Sequence, residues 1–203
     1  MDMDHENNYV RLCGVPGGAP VFSHSSRGQD FYALPLEVRR LSGNVDRVNV
    51  LMRRSLLAEL EAPQEEKLLV EGQLRSFNNR RGEGARLVIS VFARSLCFCG
   101  EEDGNLVQLR GTLCRPPNLR TTPMGRDICD LMLAVNRRYG RSDYLPCICW
   151  GAAAQEAADW AVGDRAALSG RLQSRDYIKL TETGPVQKTA FEVSVTEIVP
   201  EGA

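Results

Sequence analysis

The chain has 203 residues, of which 43% are hydrophobic, and it carries 25 cationic and 26 acidic side chains. This length suits one large or two small domains, and this hydrophobic content excludes a wholly disordered protein. The formal net charge of −1 argues against a strongly basic nucleic-acid binder, although 22 of the 25 cations are arginine. The first six residues are acidic and polar, unlike a signal peptide, and no apolar run is long enough to span a membrane, so we predict a cytoplasmic protein.

One pattern of residues occurs twice along the chain. Residues 8–14 and 105–111 share Asn, Val, Leu and Gly at a shift of 97 positions, and the shift holds without a gap to Asp46 and Asp143. Such self-similarity indicates a tandem duplication. We therefore predict an N-terminal domain at residues 1–98, a linker at 99–104 and a second domain at 105–203.

Each copy predicts three strands, a helix and two further strands. Alternating apolar residues open each copy, and a loop rich in Pro, Ser, Thr and Gly follows. The second strand then carries an apolar face, and after the third strand comes a helix. In the first copy that face is Tyr32, Leu34, Leu36 and Val38, the helix is Ser55–Glu61, and the last strands are 66–77 and 85–96. In the second copy the apolar face is Cys129, Leu131, Leu133 and Val135, the helix is Ala152–Ala161, and the last strands are 164–174 and 187–199.

This order of elements is that of a five-stranded Greek-key barrel of the OB type. We therefore predict an all-β protein with short helices, built as two tandem OB-fold barrels.

The third strand of the second copy contains a Cys-x-Cys pair between two aromatic residues. Side chains alternate along a strand, so Leu145, Cys147 and Cys149 face one way. The matched strand of the first copy has Val48, Val50 and Met52 on this side and charged residues on the other. We therefore predict that the two cysteines lie in a core. The opposite, solvent-facing side carries Tyr144, Pro146, Ile148 and Trp150.

The seven cysteines fit neither a disulfide framework nor a metal site. Their number is odd, and in a cytoplasmic protein we expect reduced thiols. The pairs at 97–99 and 147–149 have no partner cluster, and His5 and His24 are the only histidines. We predict no bound metal and no cofactor.

Exposed aromatic residues in the second copy predict a binding surface. Aromatic rings interleaved with arginines on an OB barrel suit single-stranded nucleic acid, because rings stack on bases and arginines contact phosphates. The alternative is that these rings pack inside the protein or in a subunit contact. The candidate stacking residues are Tyr139, Tyr144, Trp150 and Tyr177, and the candidate phosphate contacts are Arg137, Arg138, Arg141 and Arg175.

Several motifs of the second copy occur in the order and spacing of one known family. They are Asn105–Leu113, Pro117–Gly125, Leu133–Tyr139, Trp150–Gly151, Ser169–Tyr177 and Glu192–Ile198. Over 105–199 the chain resembles the bacterial single-stranded DNA-binding protein family. The likeness implies sequence-tolerant binding of single-stranded DNA in replication, repair or recombination, in a bacterial cytoplasm and associated with the nucleoid. The family's stacking aromatics fall on the four candidate residues.

The first copy has a different set at the matched positions. Ser42, Arg47, Arg53 and Asn79 stand where the second copy has its aromatic residues. The stacking set is therefore absent at these positions, and arginines supply positive charge instead. We predict phosphate contacts by Arg47 and Arg53, while a solvated basic face, a protein-binding face and a purely assembling role stay open.

Family members assemble four OB units, so the resemblance implies a homodimer of this duplicated chain. It also implies replication or repair proteins as partners. In the family an acidic C-terminal tail recruits them, and we do not expect recruitment by that route here, because residues 198–203 are not such a tail. Residues 112–117 are similar to the primosomal replication protein of the same fold. A protein-interaction module with little or no DNA affinity is therefore the alternative function. An enzyme is not expected, because the sequence has no Gly-rich phosphate loop and no nucleophile–base pair. The choice between DNA and RNA and the site size stay open.

Overall fold

The computed structural model describes residues 7–61, 66–79, 87–137, 140–181 and 184–202. The chain divides into two compact units. The first unit comprises Tyr9–Arg75 and Ile89–Leu106, and the second comprises chiefly Ser76–Val88 and Val107–Ala203. The domain limits expected from the sequence, 1–98 and 105–203, stay a prediction.

The first unit is a closed five-stranded barrel with one additional strand. Its last strand runs parallel to its fourth, and its first strand pairs with both the third and the fifth, which closes the barrel. A short 3-10 helix, Arg54–Leu60, follows the fourth strand. The strands are β1 (Asn8–Pro16), β2 (Val21–Ser26), β3 (Gln29–Arg39), β4 (Val45–Arg53), β5 (Lys67–Asn78) and β6 (Leu87–Cys99). The end of β5 from Ser76 and the start of β6 up to Val88 belong to the second unit. Their order in the sheet is β2-β3-β4-β6-β5-β1.

The second unit repeats this topology. Strand β10 pairs in parallel with β12, and β7 pairs with both β9 and β11. The strands are β7 (Gly104–Leu113), β8 (Asn118–Thr121), β9 (Asp127–Asn136), β10 (Ser142–Trp150), β11 (Arg165–Thr181) and β12 (Gly184–Glu201), with the helix α1 (Ala152–Ala158) between β10 and β11. This is the OB arrangement, so the predicted fold class of two tandem barrels is confirmed.

The cores follow the predicted apolar faces. Side chains that alternate along β3 and β9 point into the barrels, and burial of each such side chain contributes about 1.5–3 kcal/mol. Tyr32 differs from the prediction because it lies at the open end of the face and stays half-buried. The other predicted core residues, Leu34, Leu36, Val38, Cys129, Leu131, Leu133 and Val135, are buried.

Matched glycines mark the places where the first strand of each barrel bends from one partner to the next. A Cβ on Gly14 would lie 2.3 Å from the carbonyl oxygen of Glu37, and one on Gly111 would lie 2.5 Å from that of Ala134. No side chain fits at such a distance, so only glycine allows the backbones to approach. The repeat of Gly at these two positions therefore has a packing cause.

In each unit a buried arginine–aspartate pair holds one turn. It is the turn between β3 and β4 in the first unit and between β9 and β10 in the second. The guanidinium group of Arg40 donates two hydrogen bonds to Asp46, and that of Arg137 donates two to Asp143. Both carboxylates are fully buried. In the second unit Asp143 also accepts the backbone N–H of Ser76 at 2.5 Å. These bonds provide the partners that a buried charge requires.

The structure corrects the expected loops after the first strand of each copy. Residues Val21–Ser26 and Asn118–Thr121 form the strands β2 and β8, which pair with β3 and β9. Tight turns make this possible, since Arg27 and Gly28 both have positive φ, as does Gly125.

The ends of three further elements differ from the expectation. The last hairpin is longer than 164–174 and 187–199, because β11 and β12 stay paired from Arg165↔Glu201 to Thr181↔Gly184. The helix expected over Ala152–Ala161 ends at Ala158, and the backbone N–H of Ala161 is bound by the carboxylate of Asp164. Within the described ranges, no helix is long and apolar enough to cross a membrane.

Candidate nucleic-acid interface

Strand β10 presents its two faces largely as the alternation predicts. Cys147 and Cys149 are buried in the core, whereas Tyr144 is 50% exposed and Trp150 is 39% exposed. Ile148 was expected on the exposed face, and that prediction was wrong, since this side chain is only 4% exposed. Ile148 lies in the middle of the sheet, between Asp130 of β9 and Ser194 of β12. The side chains of the two flanking strands cover its aliphatic side chain there.

The indole of Trp150 is fixed at its edge. Its Nε1–H donates a hydrogen bond to the hydroxyl of Ser194 at 3.2 Å. A hydrogen bond in the plane of the ring restrains the side chain and leaves ring surface exposed to solvent. Trp150 is thereby held in one orientation at the outer surface of the sheet.

Tyr144 lies at the opposite end of the same strand. Its cross-strand neighbour is Ala134, whose small side chain leaves the phenol ring uncovered. The backbone N–H of Tyr144 donates to the hydroxyl of Ser76 at 2.8 Å, so the strand is anchored at this end. Tyr144 and Trp150 are six residues apart, or about 20 Å along an extended strand.

The other two candidate aromatics are less well defined. Tyr177 was expected in a loop, but it lies within β11, half-buried and opposite Lys188 of β12. In the sheet order β12 separates β11 from β10. Tyr139, and with it the candidate Arg138, lies outside the described residues.

The candidate arginines differ in their exposure to solvent and in the groups that they contact. In the second unit Arg141 and Arg175 are exposed. Arg137 instead binds Asp143, and its Nη2 donates to the carbonyl oxygen of Ser76 at 3.2 Å. In the first unit Arg47 is exposed and pairs with Glu37 at 2.8 Å, whereas the guanidinium carbon of Arg53 lies 5.6 Å from the ring centroid of Phe92.

The cysteines have the properties of core residues. Burial raises the pKa of the Cys147 thiol, and it raises that of Cys149 to about 12, so both stay protonated at neutral pH. All seven cysteines are free thiols. In the described part of the chain, no cluster of three His, Cys, Asp or Glu side chains is arranged to hold a metal ion.

The first unit has a set of aromatic residues that the matched positions of the two copies do not reveal, because the first copy has no rings at those positions. The ring of Phe31 contacts His24 at a centroid distance of 5.0 Å and Phe92 at 6.0 Å. The signal in the sequence is the ring-rich segment Phe22–Tyr32, most of which the sequence predicts as a loop.

Solved structures resemble the whole chain. The wild-type single-stranded DNA-binding protein from Thermus aquaticus superimposes with a TM-score of 0.76 at 24% sequence identity, over 97% of this chain and 93% of that one. A deletion mutant of the same protein gives a TM-score of 0.75. At this identity the likeness establishes the fold of both units.

Curated relatives match over a shorter range. "Single-stranded DNA-binding protein 2" of Listeria innocua is 34% identical over 104 residues, which are 48% of this chain and 60% of the relative. "Single-stranded DNA-binding protein A" of Bacillus subtilis strain 168 is 36% identical over 80 residues, which are 36% of this chain and 46% of the relative. The chain thus spans between about half and three fifths of the relatives it matches.

The family model described as "Single-strand binding protein family" matches residues 104–200, which are the second unit's strands β7–β12. The resemblance drawn from the sequence is confirmed. The chain is therefore similar to this family over residues 104–200, which are 97 of its 203 residues.

Proposed function

We propose that the protein binds single-stranded DNA without catalysing a reaction, and that it does so through bases stacked on the outer face of β10. The observation that carries this proposal is the pair of exposed rings, Tyr144 and Trp150, on one strand of an OB barrel. The family match of residues 104–200 and the names of the curated relatives support the same substrate. The work of such a protein is the coating of exposed strands in replication, repair or recombination.

Stacking explains how a chain with a net charge of −1 binds a polyanion. Each stacked base contributes about 1–3 kcal/mol, and every base offers a flat face, so binding tolerates any sequence. Tyr139 and Tyr177 extend the stacking set through the family likeness. The fixed edge of Trp150 lowers the entropy lost when a base stacks on it, because the ring is already oriented.

The phosphate contacts fall to the exposed arginines. Arg141 and Arg175 of the second unit suit this role. Arg138, which lies outside the described residues, stays a candidate from the sequence. Arg47 and Arg53 are the corresponding candidates in the first unit. We assign Arg137 to the turn instead, because its guanidinium group is already bound to a buried carboxylate.

The proposal is tested by the affinity of full-length chains for a labelled oligo-dT, measured by fluorescence anisotropy at low salt. Trp150→Ala should weaken binding about 5- to 150-fold, the equivalent of about 1–3 kcal/mol. Arg141→Ala should mainly reduce the salt dependence, by about one unit of slope. Trp160→Phe, a change at the other tryptophan, is the control and should bind normally. Absence of binding by the unmodified chain would refute the proposal, and a labelled oligo-rU in the same assay compares RNA with DNA.

A protein-docking role is the second candidate, and one observation favours it. The hairpin of β11 and β12 exposes Ile178 by 70% and Leu180 by 81% on one of its faces. Contiguous exposed apolar side chains are typical of contact surfaces. We propose that the chain forms a homodimer with four OB units and that replication or repair proteins bind it. Light scattering on the purified chain measures the first point, since a monomer at micromolar concentration would contradict it.

A further inference from the structure

Three aromatic rings and one arginine form a continuous set on the first unit. The ring of His24 stacks on Phe31 with an interplanar angle of 16°, and Phe31 contacts Phe92 at a tilt of 48°. The guanidinium group of Arg53 lies over Phe92 at 5.6 Å, within the range of a cation–π contact. We call His24, Phe31, Phe92 and Arg53 the first-unit ring cluster.

The cluster faces outward from the barrel. Phe92 is in register with Leu51 of the parallel strand β4, while the preceding pair, Val50 and Val91, is buried in the core. Phe31 lies opposite Arg53. His24 is exposed, and the two phenylalanines keep part of their surface in solvent. The rings are therefore accessible, not sealed in the core.

The two units carry the same type of surface with its residues exchanged. Val50 pairs with Val91 in the first unit as Cys147 pairs with Val193 in the second, so Phe92 and Ser194 occupy equivalent places on the last strand. On β4, Arg53 occupies the place that Trp150 has on β10. In the second unit the ring on β10 is held by a hydroxyl group on β12. In the first unit the ring on β6 lies under the guanidinium group of an arginine on β4. Both units therefore expose an aromatic ring at this part of the sheet, but on different strands.

The charge around the cluster complements an anionic chain. The end of β3 and β4 that holds the cluster carries Arg27, Arg53 and Arg54 and one acid, Asp30. This acid is engaged, since it lies near Arg54 and accepts a hydrogen bond from Ser25. Flat exposed rings beside cations are the combination that recognises a base and its phosphate.

We infer that the first-unit ring cluster is a second site for stacking bases of single-stranded nucleic acid. The site is separate from the face of β10, although its ligand class rests on the proposed function. His24 and Phe31 offer one stacked pair of rings, Phe92 offers another ring, and Arg53 lies where it can bind a phosphate or stack on a base.

The first test is photo-crosslinking of the unmodified full-length chain to an oligo-dT in which bromouracil replaces thymine. Peptide mapping should find crosslinks in segments 21–34 and 87–98 as well as in 142–151. Crosslinks in 142–151 alone would overturn the inference and leave the proposed function standing. Absence of any oligonucleotide binding would overturn both.

The second test replaces the aromatic ring of Phe92 by an aliphatic side chain of similar size. In a Tyr144→Ala, Trp150→Ala background, the further change Phe92→Leu should weaken residual oligo-dT binding about fivefold or more, the lower end of what a stacked base contributes. Phe98→Leu, on the same strand and also half-buried, is the matched control and should leave binding unchanged. Equal affinities of the Phe92 and Phe98 variants, with unchanged thermal unfolding, would contradict the inference.

Discussion

At the scale of single residues, the alternation of β10 decides which side chains carry the function. The cysteines are the residues with obvious chemistry, yet both are buried at positions that correspond to Val50 and Met52 in the first unit. The tyrosine and the tryptophan beside them are the exposed groups. Successive side chains of a strand point to opposite faces of the sheet, so one residue is buried in the core while its neighbour in sequence is exposed to a ligand.

Thiol accessibility should follow the same alternation. Cys97 is exposed, whereas burial protects Cys147 and Cys149 and raises their pKa values, to about 12 for Cys149. Iodoacetamide at pH 8 should therefore modify Cys97 quickly and the other two only after unfolding, since the thiolate is the reactive form. Mass spectrometry of tryptic peptides over time measures the three rates. Comparable rates for all three in the native chain would show that β10 is turned the other way.

At the scale of elements, the turns and linking segments are held by charges. The buried pair of Arg137 and Asp143 ties the ends of β9 and β10 together, and Arg40 with Asp46 does the same in the first unit. Residues 100–103 are similarly fixed, because Glu101 binds Arg11 and Asp103 binds Lys67. These groups were visible in the sequence as repeated or clustered charges, but their partners were not.

The change Asp143→Ala should destabilise the second unit by about 3 kcal/mol, because it leaves the guanidinium group of Arg137 largely buried without its partner. Urea unfolding followed by circular dichroism measures the difference. Asp159→Ala is the control, since that carboxylate is exposed and its loss should cost under about 0.5 kcal/mol. Equal effects of the two changes would mean that the turn does not depend on the ion pair.

The ion pair of Asp103 should contribute stability in a defined pH range. Burial alone would raise the pKa of this carboxyl group, but hydrogen bonds from the Lys67 ammonium and the Arg39 backbone N–H lower it below its ordinary 3.8. A lowered pKa in the folded state stabilises the fold above the ordinary value, and the gain is lost as the pH falls through the folded pKa. Asp103→Asn should therefore be less stable than the unmodified chain at pH 7, and this gap should close at a pH well below 3.8. Thermal unfolding at the two pH values checks this, and a constant gap would argue against the assignment.

At the scale of the whole molecule, the duplication made much of the fold predictable. Matching the two copies aligned their strands, and charged residues in one copy identified the solvent face of the other. Strand pairing that depends on backbone geometry was not predictable in this way. The strands β2 and β8 are built from polar residues, and the ends of β11 and β12 pair through segments such as Arg175–Tyr177 that have no apolar alternation.

The first-unit ring cluster was not predictable from the sequence, for a physical reason. Phe92 is adjacent to Arg53 only because two strands distant in sequence run in parallel side by side. An exchange of roles between neighbouring strands leaves no trace at matched positions of an alignment. In the second unit, the exposure of Tyr144 and Trp150 was predictable, because alternation along β10 and the charged residues of the matched strand β4 together identified the solvent face.

Because both units expose arginines, the affinity for single-stranded DNA should depend strongly on the salt concentration. Exposed arginines such as Arg47, Arg141 and Arg175 release counterions when they contact phosphates, so the logarithm of the affinity should fall linearly with the logarithm of the salt concentration. Titrations of oligo-dT between 50 and 300 mM NaCl measure the slope. Triple replacement of these arginines by Ala should reduce the slope by about two to three units, and an unchanged slope would exclude them as phosphate contacts.

The central claim is that a base stacks directly on Trp150, and the fluorescence of this one residue tests it. In a Trp160→Phe chain Trp150 is the only tryptophan. Oligo-dT added at low salt should quench its emission in a saturable titration whose midpoint agrees with the anisotropy of the labelled oligonucleotide, because stacking places the base against the indole ring. If the anisotropy shows binding while the emission of Trp150 stays unchanged, DNA binds elsewhere and the account of β10 is wrong.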